Sequence, residues 1–517
     1  MMKKIYSMAA MAMVAMQLQA QPATQDTYVG ASLATEDLNG TARYVGMGGA
    51  MDALGADIST MGSNPAGIGL FRKGQVSASL SVNSQEDGKS FQNGSKTHVS
   101  FDQIGIVFAT QSGKTSFLNF GFNYHKSRNF NHVLSAANAL RGSSQSSQPV
   151  VKDGEGLFDT PAWSQLDDLY YGNMLYDRET GMIYSYEGNN YEFDRANTGY
   201  IGEYDFNISG NIKNRLYLGL TIGVHNVHYK NYSEYYETLN SDYVTDVLIS
   251  DNHQITGYGY NVKAGLIFRP IEESPFRIGV SVATPTFYKL TTDNYTTIGT
   301  NVDYTAAKED FRFNTPWKFG LSLGHTVGNY LALGAVYEYA DYGSCDMRTI
   351  DESYYEYDYY YGDYGYYENS SSDNAMKRHT EKTLKGVSTL KLGGEFKVDK
   401  NIALRLGYNY VSPMYQENGV RDQTIQSPGV YYASTTHYIN WKDTNRITAG
   451  VGFSFDKFRL DLAYQYSSRK GDFYPFMPNL STTYVDDDGP FNLTNTCEKV
   501  SVKDNRHQIQ ASLVYSF

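Results

Sequence analysis

Long hydrophobic runs are missing from this chain of 517 residues once its first twenty residues are passed. A membrane-spanning helix needs about 20 consecutive apolar residues, so helical insertion is excluded as the way this chain meets a bilayer. Cysteine is also scarce, with only Cys345 and Cys497. Their spacing matches no zinc pattern and excludes a disulfide-stapled scaffold; a single bond between them stays open, as do two independent thiols. Thirteen prolines are too few for a proline-rich linker protein. Positive charge is short as well: 43 Lys and Arg against 55 Asp and Glu give a net charge of -12, without the basic stripe that nucleic acid requires. Catalytic signatures are absent too. There is no P-loop, no His-Glu-x-x-His, no paired-cysteine motif and no Gly-x-Ser-x-Gly elbow, so neither an enzyme nor a cofactor or metal is expected. His225 and His228 lie three apart on a strand and face opposite sides, so they are no ligand pair.

What is abundant is tyrosine, with 47 residues, and glycine, with 48. The mean hydropathy of -0.47 is compatible with a barrel, whose strands show lipid only at every second residue. The N-terminus carries Lys3 and Lys4, an apolar run from about Met8 to Met16, and Ala20. That pattern predicts a secretory signal peptide over 1–20 and hence export.

Alternation is the dominant pattern beyond residue 74. At the C-terminus Ile509, Ala511, Leu513, Tyr515 and Phe517 share one face, and Gln510, Ser512, Val514 and Ser516 the other. Leu404, Leu406, Tyr408 and Tyr410 oppose Arg405 and Asn409, while Phe458, Leu460, Leu462 and Tyr464 oppose Arg459 and Asp461. About fourteen such strands are expected, near 74–83, 97–109, 114–125, 198–211, 214–229, 254–269, 275–288, 310–326, 329–341, 385–398, 401–413, 440–455, 457–468 and 503–517. Short and long connections alternate between them, as the turns and loops of a membrane barrel do. The longest loop, 126–197, holds helical candidates at Asn131–Leu140 and Pro161–Tyr171. Another, with nine tyrosines between Asp351 and Glu368, reads as a solvated loop. The fold class predicted is all-β, a transmembrane antiparallel β-barrel of about 14 strands over 74–517.

Residues 21–73 do not alternate. Tyr44, Met47, Met51 and Leu54 recur at helical spacing, and Asn64-Pro65-Ala66-Gly67 is a turn signal. A small-residue N-terminal segment ending in Asn64-Pro65-Ala66-Gly67-Ile68-Gly69-Leu70, about fourteen strands and a terminal Phe resemble the FadL/TodX family of outer-membrane transporters for hydrophobic compounds. Ala283-Thr-Pro-Thr-Phe-Tyr288, Asn314-Thr-Pro-Trp-Lys318, Arg405-Leu-Gly-Tyr-Asn-Tyr410 and Leu460-Asp-Leu-Ala-Tyr464 look similar to its Bacteroidetes-type members.

The resemblance implies a hatch over 21–73 that plugs the lumen, with Asn64, Pro65, Ala66 and Gly67 as its signature. It implies capture of long-chain fatty acids or similar compounds by the loops, an internal apolar pocket, hatch rearrangement and lateral release beside 114–125, where Gly121 is the candidate weak point. Partners would be hydrophobic small molecules, outer-membrane lipid and lipopolysaccharide, and the chain is expected to be a monomer. Arg277, Lys318, Lys391, Arg405 and Arg459 face inward and are candidates for a ligand carboxylate; the alternative is a lumen network with Glu395 and Asp461. Competing functions are a structural, secretion-associated or partner-docking barrel, and a haemin-binding receptor.

Overall fold

The computed structural model describes residues 23–299, 303–358, 363–486 and 489–517; the expected signal peptide lies outside them. One antiparallel sheet closes on itself through fourteen barrel strands. They are β1 (Gln75–Gln85), β2 (Thr97–Gln111), β3 (Phe117–Asn129, continued by His132–Ala139), β4 (Gly188–Ile212), β5 (Leu216–Leu239), β6 (Asp246–Phe268) and β7 (Arg277–Ala283, continued by Phe287–Ile298). Then come β8 (Asp303–Asn314, continued by Lys318–Val327), β9 (Leu331–Asp341, continued by Asp346–Asp358), β10 (Asp363–Ser372, then Gly386–Lys397), β11 (Ile402–Val411), β12 (Tyr438–Phe455), β13 (Phe458–Tyr474) and β14 (Val500–Ser516).

Closure runs from Gln75↔Ser516 to Gln85↔Arg506 between β1 and β14, and the Phe517 N–H donates to the Gly74 carbonyl at 3.0 Å. Ile509 and Leu513 are 62% and 55% exposed while Gln510 and Ser512 are buried, so the apolar face of β14 looks outward. The same outward row repeats with Leu218, Leu220 and Ile222 on β5 and Phe319, Leu321 and Leu323 on β8. A hydrocarbon exterior around a polar interior is what a membrane barrel requires.

Two adjacent strands break at proline. Thr284-Pro285-Thr286 interrupts β7 and Thr315-Pro316-Trp317 interrupts β8. Proline has no N–H for a ladder, and the breaks answer one another: Thr286 N–H donates to Thr315 Oγ1 at 2.8 Å.

Several expected loops carry secondary structure. Asn131–Leu140, expected as a helix, is the upper part of β3, while α4 (Ser147–Gly154) and α5 (Gln165–Tyr170) follow in that loop. The tyrosine-rich stretch is the hairpin of β9 and β10 rather than a loop, with Tyr354 and Tyr367 stacked across it at 5.8 Å; most of its other tyrosine side chains lie outside the described residues. It meets β8 through only three residue pairs, Arg312↔Arg348 to Asn314↔Asp346.

The N-terminal segment fills the lumen. It contains α1 (Thr27–Ala34), α2 (Ala42–Gly46), α3 (Thr60–Ser63) and a 3-10 turn (Pro65–Leu70). Asp26 caps α1 by accepting from the Tyr28 and Val29 N–H groups. Thr41 caps α2, which stops at Gly48 and Gly49, both at positive φ, where glycine carries no Cβ penalty. The helical spacing of Tyr44, Met47, Met51 and Leu54 therefore does not mark one long helix. Those side chains still meet, with Leu38, in a single buried cluster.

Candidate functional site

The hatch is fixed to the wall through its own backbone. Asn64 is fully buried and caps the 3-10 turn, its Oδ1 accepting from Ala66 N–H at 3.2 Å. Side chains of β3 and β4 then reach inward to the carbonyls of that turn. Ser209 Oγ donates to Pro65 O at 2.7 Å, Asn119 Nδ2 to Ile68 O at 2.6 Å and Asn211 Nδ2 to Gly69 O at 3.1 Å. At other points around the lumen the wall has glycine where the hatch backbone touches it. A Cβ on Gly219 would overlap Pro65, one on Gly334 the Ala50 carbonyl, one on Gly393 that of Met47, and one on Gly407 the Gly48 nitrogen. These glycines form a belt that lets two backbones come into contact.

Gly121 also makes room for the hatch, but for a side chain rather than for backbone. It sits in an unbroken ladder, opposite Val107 on one side and Asn207 on the other, and a Cβ there would strike Met61 of the hatch.

Each of the five inward cations singled out from sequence is engaged by the protein itself. Arg405 donates to Glu395 at 2.6 Å and to Asp461 at 2.7 Å, and Arg459 to Asp461 at 2.7 Å. Arg43 of the hatch grips Glu395 with both ends of its guanidinium, at 2.9 Å each. Lys391 pairs with Glu338 at 2.7 Å, Lys318 pairs with Glu36, and Arg277 donates to the Leu54 carbonyl at 2.8 Å. The arrangement is the lumen network that tethers the hatch. The two cysteines are free thiols in different apolar clusters, so the disulfide considered from sequence is not formed.

Above the hatch, toward the long-loop end, lies a cavity of about 200 Å³. Its lining mixes apolar side chains, Val29, Leu33, Phe130, Ile255, Met414 and Trp441, with the arginines Arg128, Arg195, Arg421, Arg469 and Arg506. The two kinds interleave, with Arg469 stacked 4.1 Å over the Trp441 ring and Arg128 5.8 Å over that of Phe130. Four of the arginines hold carboxylates: Arg128 with Asp37, Arg421 with Asp26, and Arg469 and Arg506 with Asp504. Arg195 has no carboxylate within ion-pair distance among the described residues. It contacts only His437 Nε2 and His132 Nδ1, each at 3.4 Å, and its Nε is buried without a partner. An unpaired buried cation is costly and attracts an anion strongly. None of these five arginines was singled out from sequence. Inward alternation carried past the apolar part of β14, through Gln508, Arg506 and Asp504, was the signal that could have found two of the partners.

The wall opens beside this cavity. The β2–β3 ladder ends at Gln103↔His125, although both strands continue. Beyond it β3 pairs only with β4, through a register shift between Lys126 and Arg128. The hatch supplies the missing edge. Asp37 N–H donates to the Ser127 carbonyl at 2.8 Å, Asp37 Oδ2 accepts from Asn129 N–H at 2.9 Å, and Asn39 Nδ2 donates to the Lys126 carbonyl at 3.0 Å. The backbone edge is thus met by the hatch rather than by a strand, while side chains of β2 and β1 bridge the gap: Lys126 Nζ donates to Ser100 Oγ at 2.9 Å, Asn129 Nδ2 meets His98 Nε2 at 2.9 Å, and Gln85 Nε2 donates to the Val133 carbonyl at 2.8 Å.

No family model matches the sequence, and no curated protein does. Solved structures similar to this chain include the Ralstonia pickettii toluene transporter TbuX, at 13% identity and a TM-score of 0.47, covering 93% of this chain and 99% of that one. The Pseudomonas putida toluene transporter TodX is similar at 12% identity and 0.45, with the same coverage. A Pseudomonas aeruginosa FadL homologue is similar at 12% identity and 0.47, covering 96% of this chain and all of its own. These likenesses leave the cavity and its residues to be read on their own.

Proposed function

We propose that this protein is an outer-membrane passive transporter that takes up hydrophobic compounds with an acidic head, long-chain fatty acids among them. The observation that carries this reading is the cavity lined by both apolar side chains and arginines, with Arg195 holding no carboxylate. A carboxylate at Arg195 satisfies a buried cation, and the tail lies against Val29, Leu33 and Phe130. The cavity borders the edge of β3 whose backbone pairs with the hatch rather than with β2, so withdrawal of Asp37 and Asn39, with release of the Lys126–Ser100 and Asn129–His98 side-chain links, opens a path sideways toward lipid. Solute then moves down a hydrophobic gradient without nucleotide. On this reading the tight turns face the periplasm, and Asn64 to Gly67 anchor the hatch on that side.

Mass spectrometry of the purified barrel should find a bound amphiphile. Arg195→Gln should weaken fatty-acid binding by about 10- to 100-fold, the value of one charge-assisted hydrogen bond, and leave binding of the matching uncharged alkane nearly unchanged. No bound amphiphile, together with unaltered uptake after hatch deletion or Asn64→Ala, would sink the transport reading. A stoichiometric protein partner in the same preparation would favour a docking role, and bound haemin a receptor role.

A further inference from the structure

A separate cluster lies just where β2 and β3 part. Register places His125 opposite Glu203 and Glu203 opposite His225, one row across β3, β4 and β5, with Asp205 two residues along on the same face. Glu203, Asp205 and His225 are buried to 3% exposure or less. The two carboxylates are shared out. Lys263 of β6 takes Glu203 Oε1 and, at 3.2 Å, Asp205 Oδ1. The remaining oxygens face imidazoles: His125 Nε2 to Glu203 Oε2 is 3.6 Å, His125 Nδ1 to Asp205 Oδ2 3.6 Å, and His225 Nδ1 to Glu203 Oε2 3.8 Å.

Those separations are too long for hydrogen bonds. They are close to the roughly 3.4 Å edge of a tetrahedron of ligands held about 2.0–2.1 Å from a zinc-like ion, and since an imidazole gives one nitrogen to one ion, His125 meets such an ion either through Nε2 beside Glu203 Oε2 or through Nδ1 beside Asp205 Oδ2. Asp205 Oδ2 is buried with no hydrogen-bond partner, which a bound ion supplies; His225, whose ring nitrogens also have none, stands next to the cluster on the Glu203 side. One ligand atom each of His125, Glu203 and Asp205 falls within 4.8 Å of the others.

We propose that His125, Glu203 and Asp205 bind one divalent transition-metal ion. An imidazole with two carboxylates suits a borderline ion such as Zn2+, Co2+ or Ni2+ rather than Mg2+ or Ca2+. Two carboxylates against one ammonium leave a negative charge for it. His125 and Glu203 also line a cavity of about 150 Å³ that provides entry. The hatch lids the cluster, since a Cβ on Gly62 would stand 3.3 Å from His125 Cε1 and 3.6 Å from Asp205 Oδ2. The ion therefore staples β3 to β4 at the fork in the wall, under the plug, and raises the cost of moving either.

The test uses the full-length folded barrel, identified by heat-modifiable gel migration and stripped with chelator. Addition of Co2+ should give the visible ligand-field bands of a four-coordinate site, with one equivalent bound and a raised unfolding temperature. Glu203→Gln and His125→Gln, each still folded by the gel criterion, should weaken Co2+ by about 10- to 100-fold or more. The proposal is overturned by a wild-type barrel that binds no stoichiometric Co2+, Zn2+ or Ni2+, or by ligand variants that bind as well as wild type. Binding that arises only after Lys263→Met overturns it equally, because the native cluster would then be a closed ion-pair net.

Discussion

Asp37→Ala should unlatch the wall at the fork between β2 and β3. The residue makes two hydrogen bonds with its carboxylate, from Asn129 N–H at 2.9 Å and from Arg128 Nη1 at 2.9 Å, and lies 3.9 Å from Arg446. Hydrogen bonds to a charged acceptor contribute about 1.5–3 kcal/mol each. With 26% of its side chain exposed, the lower end applies, so the pair is set at about 3 kcal/mol. That corresponds to an increase of about a hundredfold in the population of the open edge. Hydrogen exchange followed by mass spectrometry on a peptide spanning 125–131 reads it directly, because the Asn129 N–H has lost its acceptor. Asp37→Asn, which can still accept from that N–H, should fall between wild type and Ala. Release of a fluorescent fatty acid from preloaded protein should accelerate in the same order. Unchanged exchange at Asn129 in the Ala variant would refute the reasoning, because it would mean that the strand edge is held by something other than the hatch.

The hatch should also respond to pH through Asp52, whose carboxyl is pushed up to about 6 chiefly by burial, with Lys391 opposing and Glu338 adding to the rise. A folded value above the ordinary 3.8 means that the docked hatch prefers the protonated acid. Resistance of the hatch to protease should therefore be full below about pH 4 and decline, by up to roughly 3 kcal/mol, as pH rises to about 6; Asp52→Asn should flatten that profile, and an equally steep one in the variant would refute the assignment. Gly407→Ala should force the hatch backbone at Gly48 to retreat by about 1 Å to restore van der Waals contact, at a cost of about 1–3 kcal/mol, and raise small-solute permeability in a liposome-swelling assay, whereas an unaltered swelling rate would count against a tight belt. Both thiols should resist maleimide in the folded barrel, since Cys345 is buried and burial pushes the Cys497 thiol up to about 12; rapid labelling of either before denaturation would contradict their placement.

The strands were legible where one face meets hydrocarbon, as in β8, β11 and β13, because lipid imposes a strict apolar period. Legibility stopped where strands rise beyond the apolar belt. In β4 the stretch 188–197 and in β5 the stretch 230–239 continue the same ladders, but with Asn, Tyr, Glu and Ser on both faces, and so read as loops. His132–Ala139 misled for a related reason: its alanines and leucine carry a helical propensity that pairing with β4 overrides. The inward side of Arg405, Arg459 and Lys391 could be read from alternation, and Glu395 and Asp461 could be named as network partners, but not which cation each holds, nor that Glu338 reaches Lys391 from the next strand. Arg195 was invisible as a site because its distinction is the lack of a carboxylate beside it, which only the assembled barrel reveals.

The glycine belt has a consequence for how fast the lumen can change width. In a pore lined by side chains, a rotamer flip on the picosecond-to-nanosecond scale alters the bore. At Gly219, Gly334, Gly393 and Gly407 the wall has no side chain to turn, and the atoms opposite are hatch backbone. The bore can widen there only if a whole chain segment shifts and gives up its hydrogen bonds together. Such collective rearrangements belong to microseconds and longer, so opening at the belt is a discrete event, with a threshold, rather than a continuous breathing.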